Sequence, residues 1–118
     1  MLRKMAVAFA ALSLFSASPA FAHAALKASA PSAGATVATP EKLSLTFTEK
    51  VRLTAVRLVV GGKNVSVETD RAAPPSEIFS LPLSSLVSGS YQVRWSALGA
   101  DGHPVNGAFN FTVSQTAN

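Results

Sequence analysis

The apolar residues of this chain recur at every second position in short runs, and this spacing restricts the fold more than any other feature. Leu43, Leu45 and Phe47 alternate with polar residues, and two segments near the end of the chain repeat the pattern. A period of two places one face of a strand against a core, whereas a helix needs a period of 3.6. No window after residue 22 has convincing helical periodicity. The sequence therefore predicts an all-β domain.

Glycine and proline mark where the strands end. Gly61-Gly62 is a two-residue hairpin signal, which predicts that residues 51–60 pair with a return strand over 64–69. Glu49-Lys50 is expected to interrupt the strand before it, and Pro82 restricts its own segment to an edge strand or an irregular link. Short strands with such turns, in a chain of 118 residues, predict one small antiparallel β-sandwich. The aromatic side chains expected in its core are Tyr91, Trp95, Phe109 and Phe111, and Leu26 is expected to anchor the alanine-rich start.

Residues 1–22 have the composition of a secretory signal peptide. Arg3 and Lys4 provide a positive start, residues 5–15 are apolar, and Ala20-Phe21-Ala22 fits a cleavage site. The apolar run is too short to span a bilayer as a helix. We therefore predict a cleavable signal peptide over 1–22 and an exported mature domain over 23–118, with no membrane span after cleavage. An uncleaved membrane anchor is the alternative.

Charge and cysteine content exclude two classes of function. Two of the ten basic residues precede the predicted cleavage point, which leaves a net charge of about +2 without any basic run, too little for a nucleic-acid footprint. The chain has no cysteine. The exported domain therefore has no disulfide and no thiolate for catalysis or metal binding.

The turn Asp101-Gly102-His103-Pro104 lies between two strand-like runs and carries an acid and an imidazole. Gly102 permits backbone angles that a side chain would forbid, and Pro104 biases His103 toward an extended conformation. Side chains at i and i+2 of an extended chain point the same way, so both can converge on one target. The alternative is an ordinary surface turn, in which Asp101 hydrogen-bonds its own following backbone.

Cleavage after Ala22 would give His23 a free α-amine beside its own imidazole. The amine and the near ring nitrogen can then chelate one metal ion, and a second imidazole and a carboxylate would complete an approximately square set of three nitrogens and one oxygen. This set suits Cu(II), which favours tetragonal nitrogen and oxygen coordination, whereas Zn(II) prefers a tetrahedron. His103 and Asp101 are the available partners. A frayed, exposed terminus is the alternative for His23.

Three segments resemble the CopC-like periplasmic copper-resistance proteins: His23-Ala24, Phe47-Thr48-Glu49-Lys50-Val51, and the stretch from Trp95 to Phe111 around the Asp-Gly-His-Pro turn. The resemblance implies a cupredoxin-like, Ig-like Greek-key sandwich or barrel that holds one Cu(II) per chain in the periplasm. Carried over by position, the ligands are His23, His103 and Asp101. Glu49 matches an acidic residue near the family's site, where it is either a weak axial ligand or only a hydrogen-bond acceptor beside the ligands.

The resemblance also implies a role and a set of partners. We expect a copper homeostasis or resistance protein that buffers, stores or delivers the ion as a monomer, with a membrane copper transporter or another periplasmic copper protein as its partner. Some members hold Cu(I) on a methionine-rich loop, because soft thioethers suit the reduced ion. The only methionines here are Met1 and Met5. Both would be lost with the signal peptide, so we expect no Cu(I) site.

Two other classes of function remain open at this stage. Copper held by an N-terminal histidine and a second histidine also occurs in oxidative polysaccharide-cleaving enzymes. Such an enzyme needs an open coordination position and a polymer-binding surface, whereas this chain has few aromatic residues, most of them at core positions. A metal-free, Ig-like interaction module is the other alternative. We expect a binding protein and not an enzyme.

Overall fold

The computed structural model describes residues 24–115, and this part of the chain folds into strands without a helix. Predictions that concern residues 1–22, His23 and residues 116–118 lie outside the described residues. The strands are β1 (Leu26–Ala30), β2 (Thr36–Val37), β3 (Lys42–Val60), β4 (Lys63–Val67), β5 (Ser76–Pro82), β6 (Gly89–Gly99) and β7 (Pro104–Val113). The all-β prediction is confirmed. No helix within 24–115 is long and apolar enough to cross a membrane.

The strands form one curled sheet in the order β1-β3-β6-β7-β2. Off this path, β4 and β5 also pair with β3, on the edge opposite β6. All pairs are antiparallel except β2 with β7. The chain leaves β3 along one edge through β4 and β5 and returns on the opposite edge as β6. This crossover is a Greek-key connection. The predicted small antiparallel Greek-key architecture is therefore correct, and β2 is a strand that the sequence pattern did not predict.

The long strand β3 changes its partners halfway along its 19 residues. Its first half pairs with β1 and β5, and its second half pairs with β4 and β6. The predicted interruption at Glu49-Lys50 is wrong, because the strand continues through both residues. At this point the pairing of β3 with β5 shifts in register, between Thr46 and Val51, as it does at a β-bulge. Phe47 and Val51 consequently remain buried on either side of it.

The core contains the side chains that the period-two pattern assigned to it. Leu43, Leu45 and Phe47 are buried, and Trp95 packs edge-on against Phe47 with a ring-centroid distance of 5.1 Å. Tyr91 and Phe111 are also buried and stack on each other, whereas Phe109 is half-buried. The start of the domain differs from the prediction. Ala24 is buried there, and the larger Leu26 packs against the core only in part.

The predicted hairpin at Gly61-Gly62 is confirmed. Both glycines have positive φ, 56° and 79°, as a two-residue turn between antiparallel strands requires. Val60 pairs with Lys63 across the turn, so β4 begins and ends slightly earlier than predicted. Pro82 ends β5, which pairs only with β3 and is an edge strand as expected.

Candidate metal centre

The hairpin between β6 and β7 ends in the turn that carries Asp101 and His103. Leu98 and Pro104 are its last paired residues. Within the turn, the Gly99 N–H donates to the His103 carbonyl at 3.0 Å, and the Gly102 N–H donates to the Gly99 carbonyl at 2.9 Å. Gly102 has a φ of 84°, a conformation that favours glycine. The backbone of the turn is therefore fixed by its own hydrogen bonds.

The side chains of Asp101 and His103 contact each other. Asp101 Oδ1 accepts the backbone N–H of His103 at 3.0 Å, and Asp101 Oδ2 lies 3.1 Å from His103 Nδ1. The exposed fractions are 68% for the His103 side chain and 40% for the Asp101 side chain, so solvent and ions can reach both. Asp101 thus serves the turn, as the surface-turn alternative expects, and also lies beside the imidazole.

This contact bears on which ring nitrogen of a neutral His103 keeps a lone pair. In a neutral imidazole one nitrogen carries the proton and the other keeps a lone pair. When Nδ1–H donates to Asp101 Oδ2, the lone pair is on Nε2, which is the usual arrangement for a metal-binding histidine supported by a carboxylate.

The start of the described chain is tied to β3 by two hydrogen bonds. The Ala25 N–H donates to Thr48 Oγ1 at 3.0 Å, and the Thr48 N–H donates to the Ala25 carbonyl at 2.9 Å. Ala24 is buried in the core with 7% of its surface exposed. Residues 24 and 25 are therefore held in place. Thr48 lies in a motif of the sequence, but nothing in that motif predicts this role.

The turn and the start of the chain lie at the same end of the domain. Val51 of β3 pairs with Gly99, the last residue of β6, and Thr48 precedes Val51 by three residues. At ~3.3 Å per residue along a strand, Thr48 and Val51 are separated by about 10 Å. Glu49 is exposed between them, where the pairing of β3 with β5 shifts in register. His23, which is joined to Ala24, lies outside the described residues.

Within residues 24–115 no three His, Cys, Asp or Glu side chains cluster as a metal site. Asp101 and His103 are in contact, but Glu49 does not join them in such a cluster. Within residues 24–115, the contact at the turn thus brings together one imidazole and one carboxylate. A metal site at this end would need further metal-binding groups. The residues that directly precede the anchored Ala24 are candidates to supply them.

The family assignment agrees with this fold. The CopC domain model matches residues 26–114. Copper resistance protein C of Escherichia coli is 34% identical over 105 residues, covering 80% of this chain and 83% of that protein. Copper resistance protein C of Xanthomonas campestris pv. juglandis is 36% identical over 117 residues, covering 91% of each.

The fold of this chain is also similar to the solved structures of two proteins, CopC and PcoC. CopC from Methylosinus trichosporium OB3b superposes with a TM-score of 0.69 at 30% identity, covering 81% of this chain and 98% of that one. PcoC, described as a methionine rich copper resistance protein from Escherichia coli, superposes with a TM-score of 0.61 at 35% identity, covering 79% and 100%. The chain belongs to the CopC domain family.

Proposed function

We propose that the mature protein is an exported, monomeric copper-binding protein that holds one Cu(II) ion per chain for copper homeostasis. The proposed ligands are the α-amine and imidazole of His23, the imidazole of His103 and the carboxylate of Asp101. The observation that carries the proposal is the position of the anchored residues Ala24 and Ala25 at the same end of the domain as the Asp101–His103 turn. The names of the copper resistance relatives support it.

The donors of the turn fit this ion. His103 and Asp101 offer an imidazole nitrogen and a carboxylate oxygen within one rigid hairpin, and Cu(II) favours tetragonal sets of such donors. A chain that begins at His23 adds two nitrogens from a single residue. Glu49 is proposed as a weak axial ligand or as an acceptor beside the ligands, since it is an exposed residue of β3 between Thr48 and Val51.

The proposed role is capture and release of copper and not catalysis. The relatives are named for copper resistance, and the aromatic residues that could form a polymer-binding platform are mostly in the core. The copper would be exchanged with a membrane transporter or another periplasmic copper protein. Met1 and Met5 are the only methionines. In contrast to the methionine rich relative, this chain therefore offers Cu(I) no thioether site after cleavage.

The decisive experiment compares two forms of the mature protein. Mass spectrometry first establishes that the exported protein begins at His23. Cu(II) is then titrated into this form and into a matched form with one extra N-terminal glycine, using the fluorescence of Trp95, the single tryptophan, as the signal. The authentic form should bind one equivalent and gain thermal stability, because a ligand at a hundredfold excess over its Kd stabilises the fold by ~2.7 kcal/mol. Equal Cu(II) binding by the two forms would overturn the proposed amine ligand, and no binding by either would overturn the function.

A further inference from the structure

Two arginines lie directly opposite each other on the outer face of the sheet, away from the turn. Arg57 of β3 and Arg94 of β6 are cross-strand partners, and both are exposed. Like charges at directly opposed positions of neighbouring strands destabilise a sheet. An arrangement of this kind is relieved when an anion lies across both guanidinium groups.

The described chain provides no such anion. The guanidinium of Arg57 makes no hydrogen bond or ion pair within residues 24–115, and Arg94 donates from Nε only to the Gln92 side chain at 2.8 Å. Arg52, which lies on the same face of β3, differs from this pair. It donates to the carbonyls of Arg71 and Ala73 and fastens a loop to the sheet.

The surface around Arg57 and Arg94 is shallow and concave, and its other lining residues are neutral. Asn64 and Gln92 border the two arginines on one side, and Ser96 and Asn106 border them on the other. The surface therefore extends over β4, β3, β6 and β7, which at ~4.8 Å between strands is about 14 Å wide. The surface is therefore wider than a single phosphate ion, and an extended peptide lying across it could place several carboxylates on it. Each guanidinium can bind one carboxylate through two parallel hydrogen bonds.

We propose that this arginine pair binds an acidic polypeptide segment of a partner protein. The surface is separate from the turn, because Arg94 precedes Gly99 by five residues, or about 17 Å along β6. The binding itself does not depend on copper. A partner docked here would lie on the β6–β7 hairpin, whose turn carries Asp101 and His103, and its part in copper exchange rests on the proposed function.

The test uses metal-free mature protein, so its failure is distinguishable from failure of copper binding. The probe is a short fluorescent peptide of alternating glutamate and glycine, and its control has glutamine for glutamate. Binding is measured by fluorescence anisotropy at low ionic strength. We compare the wild type with an Arg57→Gln/Arg94→Gln variant and a Lys27→Gln/Lys42→Gln variant. The second variant removes the same net charge from exposed positions of β1 and β3.

The acidic peptide should bind the wild type, and the arginine variant should bind it about tenfold more weakly, which is the loss expected from two exposed ion pairs. The lysine variant should retain most of the affinity. The arginine variant should also melt no lower than the wild type, because it removes a repulsion. Equal losses in the two variants, or equal binding of the glutamine peptide, would overturn the proposal. It would also be overturned if vesicles of anionic phosphatidylglycerol bound in an arginine-dependent way while the peptide did not, or if millimolar phosphate displaced the peptide completely at constant ionic strength.

Discussion

The two hairpin turns of this domain differ in what holds them closed. The turn between β3 and β4 consists of Gly61-Gly62 and closes by backbone pairing alone. The turn between β6 and β7 also has a glycine with positive φ, Gly102, but a side chain completes it, because Asp101 accepts the His103 N–H. The groups proposed to bind copper therefore also shape the loop that presents them. In the glycine turn, by contrast, no side chain proposed to bind copper helps to close the loop.

The largest difference between the turns should appear on replacing His103 with Ala. We expect Cu(II) affinity to fall at least about a hundredfold, because loss of a ligand should exceed the 10–100-fold loss typical of groups that merely support one. Without copper, the melting temperature should not change, since the side chain is mostly exposed. Lys63→Ala, beside the glycine turn, is the control for the Cu(II) titration. Equal affinities in the two variants would remove His103 from the site.

The strands beneath the turns should also respond unequally. A Cβ added to Gly107 would lie 2.7 Å from Trp95 Cζ2, and the indole is buried against Phe47. Gly107→Ala should therefore lower the free energy of unfolding by about 1–3 kcal/mol, as overpacking does. Val65 of β4 is 41% exposed, so Val65→Ala should cost less. Urea unfolding measures both, and a smaller effect at Gly107 would mean that the indole can move.

Asp101→Asn separates the two roles of this carboxyl group. The amide oxygen can still accept the His103 N–H, so we expect the turn and the unfolding free energy to change little. Loss of the charge should lower Cu(II) affinity about tenfold, measured by competition with a chelator of known affinity. Asp101→Ala is the matched variant that loses both roles. If Asp101→Asn binds as tightly as the wild type, Asp101 only shapes the turn.

The smallest effects on stability should come from replacing one glycine with positive φ in each turn, Gly62 in the first and Gly102 in the second. Gly62→Ala and Gly102→Ala meet no atom within 4 Å, so only backbone strain acts, at ~1 kcal/mol for each. Thermal unfolding should show similar losses of stability. Cu(II) affinity should fall in Gly102→Ala alone, because only that turn carries proposed ligands. A similar fall in Gly62→Ala would show that the effect is one of global stability.

The strands could be predicted from the sequence wherever one of their faces is buried. Leu43, Leu45 and Phe47 form such a face, and the glycine hairpin that follows β3 gives a local signal. The continuity of β3 through Glu49-Lys50 could not be predicted, because it depends on strands that join from distant parts of the chain. The same holds for β2, whose Thr36 and Val37 pair with the end of β7 and have no pattern of their own.

The candidate site was accessible to sequence reasoning only in part. The spacing of Asp101 and His103 predicted convergent side chains, and the two are in contact. The proposed metal-binding roles of His23, Glu49, Asp101 and His103 all stay predictions. Thr48 had no signal beyond its place in a motif, because its hydrogen bonds to Ala25 join residues far apart in sequence. The pairing of Arg57 with Arg94 requires the β3–β6 register, which sequence alone does not give.

The attachment of Ala25 to Thr48 would affect the lifetime of a chain that begins at His23. Proteolysis concentrates at chain ends that are poorly ordered and not tied down by the fold. In a chain that begins at His23, only two residues precede Ala25, and the second of them, Ala24, is buried. The fold would then protect its first residue from trimming, and the chelating amine would last as long as the domain stays folded.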